Sequence, residues 1–434
     1  MNQTNKKTLE WLKGLGKLPD NFDSSSISPL LNHENTKIRI LAVANIGKIK
    51  NIKYLNKLSQ MVENDSSSVV KSEAAAAIGK MRNESTIPIL INFLKNDDPS
   101  VVIQSLRALS YFKDNKNASD AFLEMQKHEN ESIRNFALNI KITKTKKENQ
   151  NNHSKSHSFL KNTVVLGDVI ETLKLIPDES FHLTFTSPPY YNAKDYSTYI
   201  SYNEYLDFLK NVFENVHRCT KEGRFFVLNT SPVIVPRISR AHSSKRHPIP
   251  FDVHPILTDI GWEFVDDIIW QKPEPTVKNR NGGFFQHRNP LAYKPNNVTE
   301  YLMVYRKKTD RLIDWNLKQY DQKISKSSKV SDGYETSNLW KIDPTFDKGH
   351  TAVFPKPLCE RVISYYSMKN DLVFDPFGGS GTLGLSANEL ARNFFMAENL
   401  PEHIERMKQK LSSVEDCKFL NIDDLAKMIE KQIP

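Results

Sequence analysis

The first 145 residues repeat, and that repeat dictates stacked helices instead of a single closed core. Ile38, Val70, Val101 and Ile133 recur at steps of 32, 31 and 32 residues. Four residues on come Ala42, Ala74, Ser105 and Ala137, all small, followed by the apolar Val43, Ala75, Leu106 and Leu138. Each copy follows a polar, acidic turn: Asn32-His33-Glu34-Asn35, Glu63-Asn64-Asp65-Ser66, Asn96-Asp97-Asp98-Pro99 and His128-Glu129-Asn130-Glu131. Between the copies lie further apolar segments. In one of them Ile87, Leu90, Ile91 and Leu94 fall at i, i+3, i+4 and i+7, which predicts one face of a helix. A small residue at a fixed helical position lets neighbouring helices approach closely. A period near 32 with two helices per unit predicts an α-solenoid.

The repeat resembles HEAT-like repeats, about four of them. It occupies only a third of a 434-residue chain, a length that predicts two or three domains. Residues 142–158, beginning Ile142-Thr143-Lys144-Thr145-Lys146-Lys147-Glu148, lose both hydrophobicity and periodicity. The expected organisation is a solenoid over 1–145, a polar basic linker over 146–159 and a second domain over 160–434. The net charge is +9 and the pI near 9.1, which fits an anionic partner such as nucleic acid. Cys219, Cys359 and Cys417 are far apart and show no Cys-x-x-Cys spacing, so reduced thiols are expected and no disulfide framework or zinc site is implied. The polar start Met1-Asn2-Gln3-Thr4-Asn5-Lys6-Lys7 has no apolar signal region, and no run approaches 18 apolar residues. The expectation is a cytoplasmic protein with no membrane partner.

From residue 160 the pattern becomes α/β. Val164-Val165-Leu166, Phe181 to Thr186, Arg224 to Asn229, Glu263 to Trp270 and Thr299 to Tyr305 read as strands. Tyr202 to Val216 has helical spacing. Strands alternating with helices predict a mostly parallel, Rossmann-like sheet with its sites at the carboxyl ends of the strands.

Two of those ends carry chemistry. Leu372-Val373-Phe374 is a buried-strand run that ends in Asp375. The turn Pro376-Phe377-Gly378-Gly379-Ser380-Gly381-Thr382 follows, then a helix through Leu383, Leu385, Ala387 and Leu390. The next strand, Asn393 to Ala397, ends in Glu398, 23 residues after Asp375, where an acid is placed to accept hydrogen bonds from ribose hydroxyls. The glycine spacing is not G-x-G-x-x-G, and the Lys-Ser/Thr of a P-loop is missing. The turn therefore suits a nucleoside without a polyphosphate, such as S-adenosylmethionine. The other end is Thr186-Ser187-Pro188-Pro189-Tyr190. Its prolines stiffen the loop and fix the direction of the carbonyls. The Ser187 hydroxyl and a prolyl carbonyl are acceptors for an amino group, and Tyr190 offers a flat face to a base. An aromatic amine is a poor nucleophile because its lone pair is delocalised; acceptors that hold its hydrogens favour the pyramidal form that attacks a sulfonium methyl group.

Taken together, these segments resemble the S-adenosylmethionine-dependent DNA amino-methyltransferases of the β arrangement, in which the catalytic motif precedes the cofactor motif. The resemblance spans roughly 160–412. It includes Leu166-Gly167-Asp168 with Leu173 and Ile176-Pro177-Asp178, Ile268-Ile269-Trp270-Gln271-Lys272-Pro273, Ser337-Asn338-Leu339-Trp340 and His350-Thr351-Ala352-Val353-Phe354-Pro355. It implies that Ser187, Pro188, Pro189 and Tyr190 hold a flipped base. It implies that Asp375, Phe377, Gly378, Gly379, Ser380, Gly381 and Thr382, with Thr186, surround the methionine part of the cofactor. Glu398 would bind ribose, Asp168 would lie near adenine, and the segment with Thr351, Phe354 and Pro355 would close over the methionine end. Ser at the first catalytic position is usual for cytosine-N4 enzymes and Asp for adenine-N6 enzymes. Tyr191 after Tyr190 departs from the pattern and leaves open whether a second ring stacks on DNA.

A base inside a duplex is not accessible at its amino group, so base flipping is expected. Contacts to double-stranded DNA are expected from Arg237, Arg240, Lys245 and Arg246 in one basic stretch and Lys278, Arg280 and Arg288 in another, with target recognition over about 274–335. The leading expectation is a site-specific cytosine-N4 DNA methyltransferase, associated with the nucleoid. The alternatives are adenine-N6 methylation on the same fold and a non-catalytic DNA-binding scaffold. The solenoid is open to DNA flanks, to a restriction endonuclease of a restriction-modification pair, or to the catalytic domain; no nuclease motif is found in the chain.

Overall fold

The computed structural model describes residues 3–19, 22–138, 153–191, 199–235, 244–279, 282–347 and 350–432, and the chain divides into two compact units, Met1–Glu148 and Asn149–Pro434. In the first unit, helices Thr36–Ile49, Ser68–Lys80, Pro99–Leu109 and Glu131–Leu138 each follow one of the acidic turns. They alternate with Leu55–Asn64, Ile87–Asn92 and Lys116–Met125. The turns supply the caps. Asn35, Asp98 and Asn130 accept the backbone N–H of Lys37, Ser100 and Ser132, at 3.0, 2.8 and 3.0 Å.

The repeated positions form the core: Ile38, Val70, Val101, Ile133 and the four small residues after them are buried. Leu138 is 54 % exposed, at the end of this unit's described residues. Helix spacing gives way at residue 93, where Phe93–Lys95 tightens to a 3-10 turn. Phe93 is thereby buried alongside Ile87, Leu90 and Leu94, while Ile91 is half-buried. The closest helix approach uses glycines that share the period. A Cβ on Gly47 would lie 2.9 Å from Ala77 Cβ, and one on Gly79 would lie 3.0 Å from Ala108 Cα.

The second unit contains strands β1 (Thr163–Leu166), β2 (Phe181–Thr186), β3 (Thr220–Thr230), β4 (Val233–Val235), β5 (Lys245–His247), β6 (Trp262–Gln271), β7 (Thr299–Lys307), β8 (Leu339–Lys341), β9 (Thr345–Asp347), β10 (His350–Val353), β11 (Leu372–Asp375), β12 (Asn393–Glu398) and β13 (Lys418–Asn421). Nine of them form one sheet in the order β13-β1-β12-β11-β2-β3-β7-β6-β8. Within it only β7 runs against its neighbours. The central strands β11 and β12 carry apolar side chains on both faces, which are covered. Phe374 and Phe395 pack on one face, and Val373, Phe394 and Met396 on the other.

The reversed strand changes one expectation. β7 runs through the stretch 274–335 that was read as a target-recognition insert, and its Leu302, Val304 and Tyr305 are core residues. It starts at the edge where the parallel strands end and finishes at the edge where they begin. Residues 308–335 therefore lie at the amino ends of the parallel strands, and only 274–298 remains on the carboxyl side. At the amino edge Asp371 takes a 2.6 Å hydrogen bond from the Tyr320 hydroxyl and an ion pair from Arg224. His182 accepts the Leu372 N–H at 3.1 Å, and its other ring nitrogen faces the His153 carbonyl at 3.1 Å. His153, from the stretch read as linker, packs its ring edge-on against Trp315, with centroids 4.8 Å apart. Residues 146–152 of that stretch lie outside the described residues.

Two outcomes follow. Gly79→Ala forces the helices apart at Ala108 and lowers the stability of the repeat unit by about 1–3 kcal/mol, measured by denaturant unfolding of the full chain. Burial, with Arg224 and Lys221 beside it, holds His153 down at about 3, and burial holds His182 well below 6.5. Both are neutral in the fold and take up protons once unfolded, so the stability of the second unit falls as pH drops below about 6.5. Unfolding midpoints at pH 7.5 and about pH 5 check this; a midpoint that did not fall would contradict it.

Candidate active site

β2 and β11 are adjacent and parallel, so the two motifs leave the sheet side by side. The Thr186 hydroxyl donates to Asp375 Oδ1 at 2.6 Å across 189 residues of chain, and the Phe377 N–H donates to the same oxygen at 3.0 Å. Burial pushes the Asp375 carboxyl up to about 7 against both bonds, and the Glu398 carboxylate adds to the rise. Glu398 ends β12, the next strand. Its Oε2 accepts the Gly379 N–H at 2.8 Å and its Oε1 accepts the Leu400 N–H at 3.0 Å. His403 Nδ1 lies 3.3 Å from Oε1. Gly379 adopts a φ of +52° and Gly381 of +74°, which turns the chain sharply into helix Thr382–Glu389.

These strand ends bound a cleft of about 250 Å³. Ser187, Pro188, Pro189 and Tyr190 line it from one side. Asp375, Phe377, Gly378, Gly379, Ser380 and Thr382 line it from the other, with Asp168, Glu398 and Phe354. Phe354 stacks on Phe185, centroids 4.5 Å apart. Three expected cofactor residues are not in the lining. Thr186 lies behind it and bonds Asp375; Gly381 faces Met407; Pro355 caps helix Lys356–Tyr366. Thr351 lies on β10, and its side chain is outside the described residues. Sequence reasoning missed Tyr199, Phe208 and His403, which also line the cleft. His403 follows Glu398 onto the helix Pro401–Lys410, and no motif marks it.

The Ser187-Pro188-Pro189-Tyr190 tetrapeptide rests on a network of Glu300, Asn229 and Lys272, of which Glu300 and Asn229 belong to none of the segments that carry the resemblance. Glu300, at the start of β7, accepts from the Tyr190 hydroxyl at 3.1 Å and from Asn229 Nδ2 at 2.6 Å, and pairs with Lys272. Asn229 Nδ2 is also 3.4 Å from Ser187 Oγ, while its Oδ1 is buried with no hydrogen-bond partner among the described residues. Burial and then the Glu300 carboxylate push the Tyr190 phenol well above its ordinary range, so it stays a donor. The second ring, Tyr191, packs edge-on against Tyr202 and His247, at 5.2 and 5.0 Å. Of the expected DNA contacts, Lys245, Arg246, Lys278 and Arg288 are exposed; Arg237, Arg240 and Arg280 lie outside the described residues.

Residues 181–409 match the DNA methylase family, which is more than half of the chain. The chain belongs to that family. Residues 24–110 and 55–139 match HEAT repeats. The chain is 31% identical to the type II methyltransferase M.ScaI of Streptomyces caespitosus over 243 residues, covering 52% of this chain and 73% of that one. It is 28% identical to the type II beta methyltransferase M.BslI of Bacillus sp. (strain NEB-606) over 270 residues, covering 60% of this chain. The chain spans 28% of the length of M.BslI and 34% of that of M.MwoI from Methanothermobacter wolfeii. Among solved structures, the PvuII DNA methyltransferase (cytosine-N4-specific) is similar at TM-score 0.45 and 21% identity, over 64% of this chain and 94% of that one.

DNA methylases of this family take S-adenosylmethionine. The cleft fits that ligand by its charge. Its lining carries the carboxyls of Asp168, Asp375 and Glu398 and neither Lys nor Arg among the described residues, which suits a cationic sulfonium and ammonium and not a polyphosphate. No group of three or more potential metal ligands occurs among the described residues, and no described helix of the methylase is long and apolar enough to cross a membrane. Glu300→Ala strips the carboxylate from Lys272, Asn229 and Tyr190 at once. It lowers the stability of the methylase unit by about 1–3 kcal/mol in denaturant unfolding. An unchanged midpoint would show that the network contributes nothing.

Proposed function

We propose that this chain is a site-specific DNA methyltransferase that modifies an exocyclic amino group, that of cytosine N4. The observation that carries the reading is that Ser187-Pro188-Pro189-Tyr190 and the Asp375–Thr382 turn line one cleft of acidic character. S-adenosylmethionine, when bound, supplies an electrophilic methyl group. Asp375 and the turn at Gly378 and Gly379 would hold its methionine end, Glu398 its ribose, and Asp168 the region of its adenine. The target base would stack on Tyr190, whose hydroxyl is fixed by Glu300. Ser187 Oγ and the Pro188 carbonyl would accept the two amino hydrogens, directing the nitrogen lone pair at the methyl group; as the N–C bond formed, the donor's S–C bond would break, S-adenosylhomocysteine would leave with that electron pair on sulfur, and the nitrogen would lose one proton to water. Asn229 Nδ2, 3.4 Å from Ser187 Oγ, orients that hydroxyl as an acceptor.

The choice of cytosine over adenine is supported by Ser187 at the first catalytic position. DNA would be engaged through Lys245, Arg246, Lys278 and Arg288, with residues 274–298 reaching base edges after the target has flipped out. The type II relatives support a pairing with a restriction endonuclease.

Mapping modified bases across the genome of cells that express the protein, with chemistry that separates N4-methylcytosine from N6-methyladenine, decides the target. N4-methylcytosine within one short sequence is the expected result; N6-methyladenine there would overturn the choice of base. Ser187→Ala and Tyr190→Ala each lower transfer by about 10² or more, and wild-type rates in both would remove these residues from the site. A second outcome concerns pH. The Asp375 carboxyl, at about 7, must ionise to attract a cationic ligand, so affinity for S-adenosylmethionine falls as pH drops below about 7. Calorimetry between about pH 5.5 and 7.5 measures this. Asp375→Asn flattens the profile.

A further inference from the structure

The positive charge of this protein sits in the unit that lacks the cleft. Residues 1–148 hold 23 Lys and Arg against 16 Asp and Glu, whereas residues 149–434 hold 37 against 35. Helices joined by short turns alternate in direction, so the turns of the solenoid collect on two opposite edges. On one edge lie Glu34, Asp65, Asp97, Asp98 and Glu129, before the helices that begin at Thr36, Ser68, Pro99 and Glu131. These acids serve the fold. Asp98 caps its helix, and Asp65 accepts the Ser67 N–H at 2.9 Å and pairs with Arg39. Acids at helix N-termini also complement the helix dipole.

The opposite edge carries Lys50, Lys53, Arg82, Lys113 and Lys116, in the turns that follow the alternate helices Thr36–Ile49, Ser68–Lys80 and Pro99–Leu109; the exposed acids Glu84 and Asp114 share these turns, and Asp23 lies near Lys53. None of the five makes an ion pair among the described residues, and all but the half-buried Lys113 are exposed. Helix stabilisation accounts for part of the row, since Lys50, Arg82 and Lys113 follow helix C-termini, but not for Lys53 and Lys116. Lys53 lies in the turn Ile52–Tyr54 that runs straight into Leu55–Asn64, and Lys116 opens Lys116–Met125. A cation at either place opposes the helix dipole. Arg82 lies over the Tyr111 ring, 4.6 Å from its centroid, and that ring is itself 55 % exposed. With layers about 10 Å apart, three turns form a row about 20 Å long, the length of about six base pairs.

We propose that this edge binds the sugar–phosphate backbone of duplex DNA beside the methylated sequence. The inference rests on the proposed function, and it gives the solenoid a role in the same reaction. A row of five cations that outnumber the acids among them, none of the five in an ion pair among the described residues, complements a polymer of constant negative charge. The acidic opposite edge turns the row toward such a polymer from a distance.

The test uses the full chain with Lys50→Glu, Lys53→Glu, Arg82→Glu, Lys113→Glu and Lys116→Glu combined, and a second variant with Gln at the same five positions. Circular dichroism and melting first establish that both fold as the wild type does. Affinity is then measured over a series of salt concentrations on duplexes of about 14 and about 60 base pairs centred on the methylated sequence. Both variants are expected to bind the long duplex at least about tenfold more weakly than wild type, with the salt slope lower by about 0.9 for each phosphate that is no longer neutralised. Binding and methyl transfer on the short duplex stay at wild-type values. Long-duplex affinity and slope equal to wild type would overturn the proposal, as would equal losses on both lengths. So would capture of an acidic protein by the wild type but not the variants, with DNA binding unchanged. A wild type that prefers the long duplex yet methylates neither defeats the proposed function and leaves the edge standing.

Discussion

The parallel pairing of β2 with β11 places everything that matters in the second unit. Parallel strands end on the same edge of a sheet, so two loops far apart in the chain emerge next to one another. The Thr186–Asp375 hydrogen bond joins them at the root. Because Asp375 is buried and accepts two hydrogen bonds, the start of the Gly-rich turn is fixed before any ligand arrives. The acid of β12 continues the same logic one strand further, with Glu398 tied to Gly379 and Leu400. Three neighbouring strand ends thus present three prearranged groups to one cleft.

Much of this was legible in the sequence, from the alternation of Phe181 to Thr186 and the buried apolar run Leu372-Val373-Phe374. Phe181 to Thr186 and Leu372 to Asp375 were bounded to the residue, and the repeat positions Ile38, Val70, Val101 and Ile133 lie in the solenoid core as their spacing predicted. What was not legible depended on strand direction and on partners distant in sequence. Thr299 to Tyr305 reads as a strand, but nothing in it states that it runs backwards. That reversal is what brings Glu300 to Tyr190 and carries residues 308–335 to the far edge. Gly47 and Gly79 share the repeat period, yet the sequence alone does not show that the next helix presents Ala77 and Ala108 to them. Thr186 and Gly381 are not in the cleft lining: Thr186 bonds Asp375 and Gly381 packs against Met407.

Electrostatics divides the labour between the units. The cleft gathers carboxyls and excludes Lys and Arg among the described residues, while the repeat unit holds most of the excess cations. One arrangement suits a small cationic ligand; the other would suit a long anionic one. A single surface could not serve both, since cations placed at the cleft would repel the methyl donor.

The reversed strand also encloses residues 273–298. The chain leaves the sheet at the end of β6 and re-enters at the start of its neighbour β7, and the Lys272 N–H meets the Val298 carbonyl at 2.7 Å where the two ends come together. The Lys272–Glu300 ion pair closes the same neck. A segment fastened at its base in this way is a cassette. It can lengthen, shorten or be exchanged for another without shifting the register of either strand.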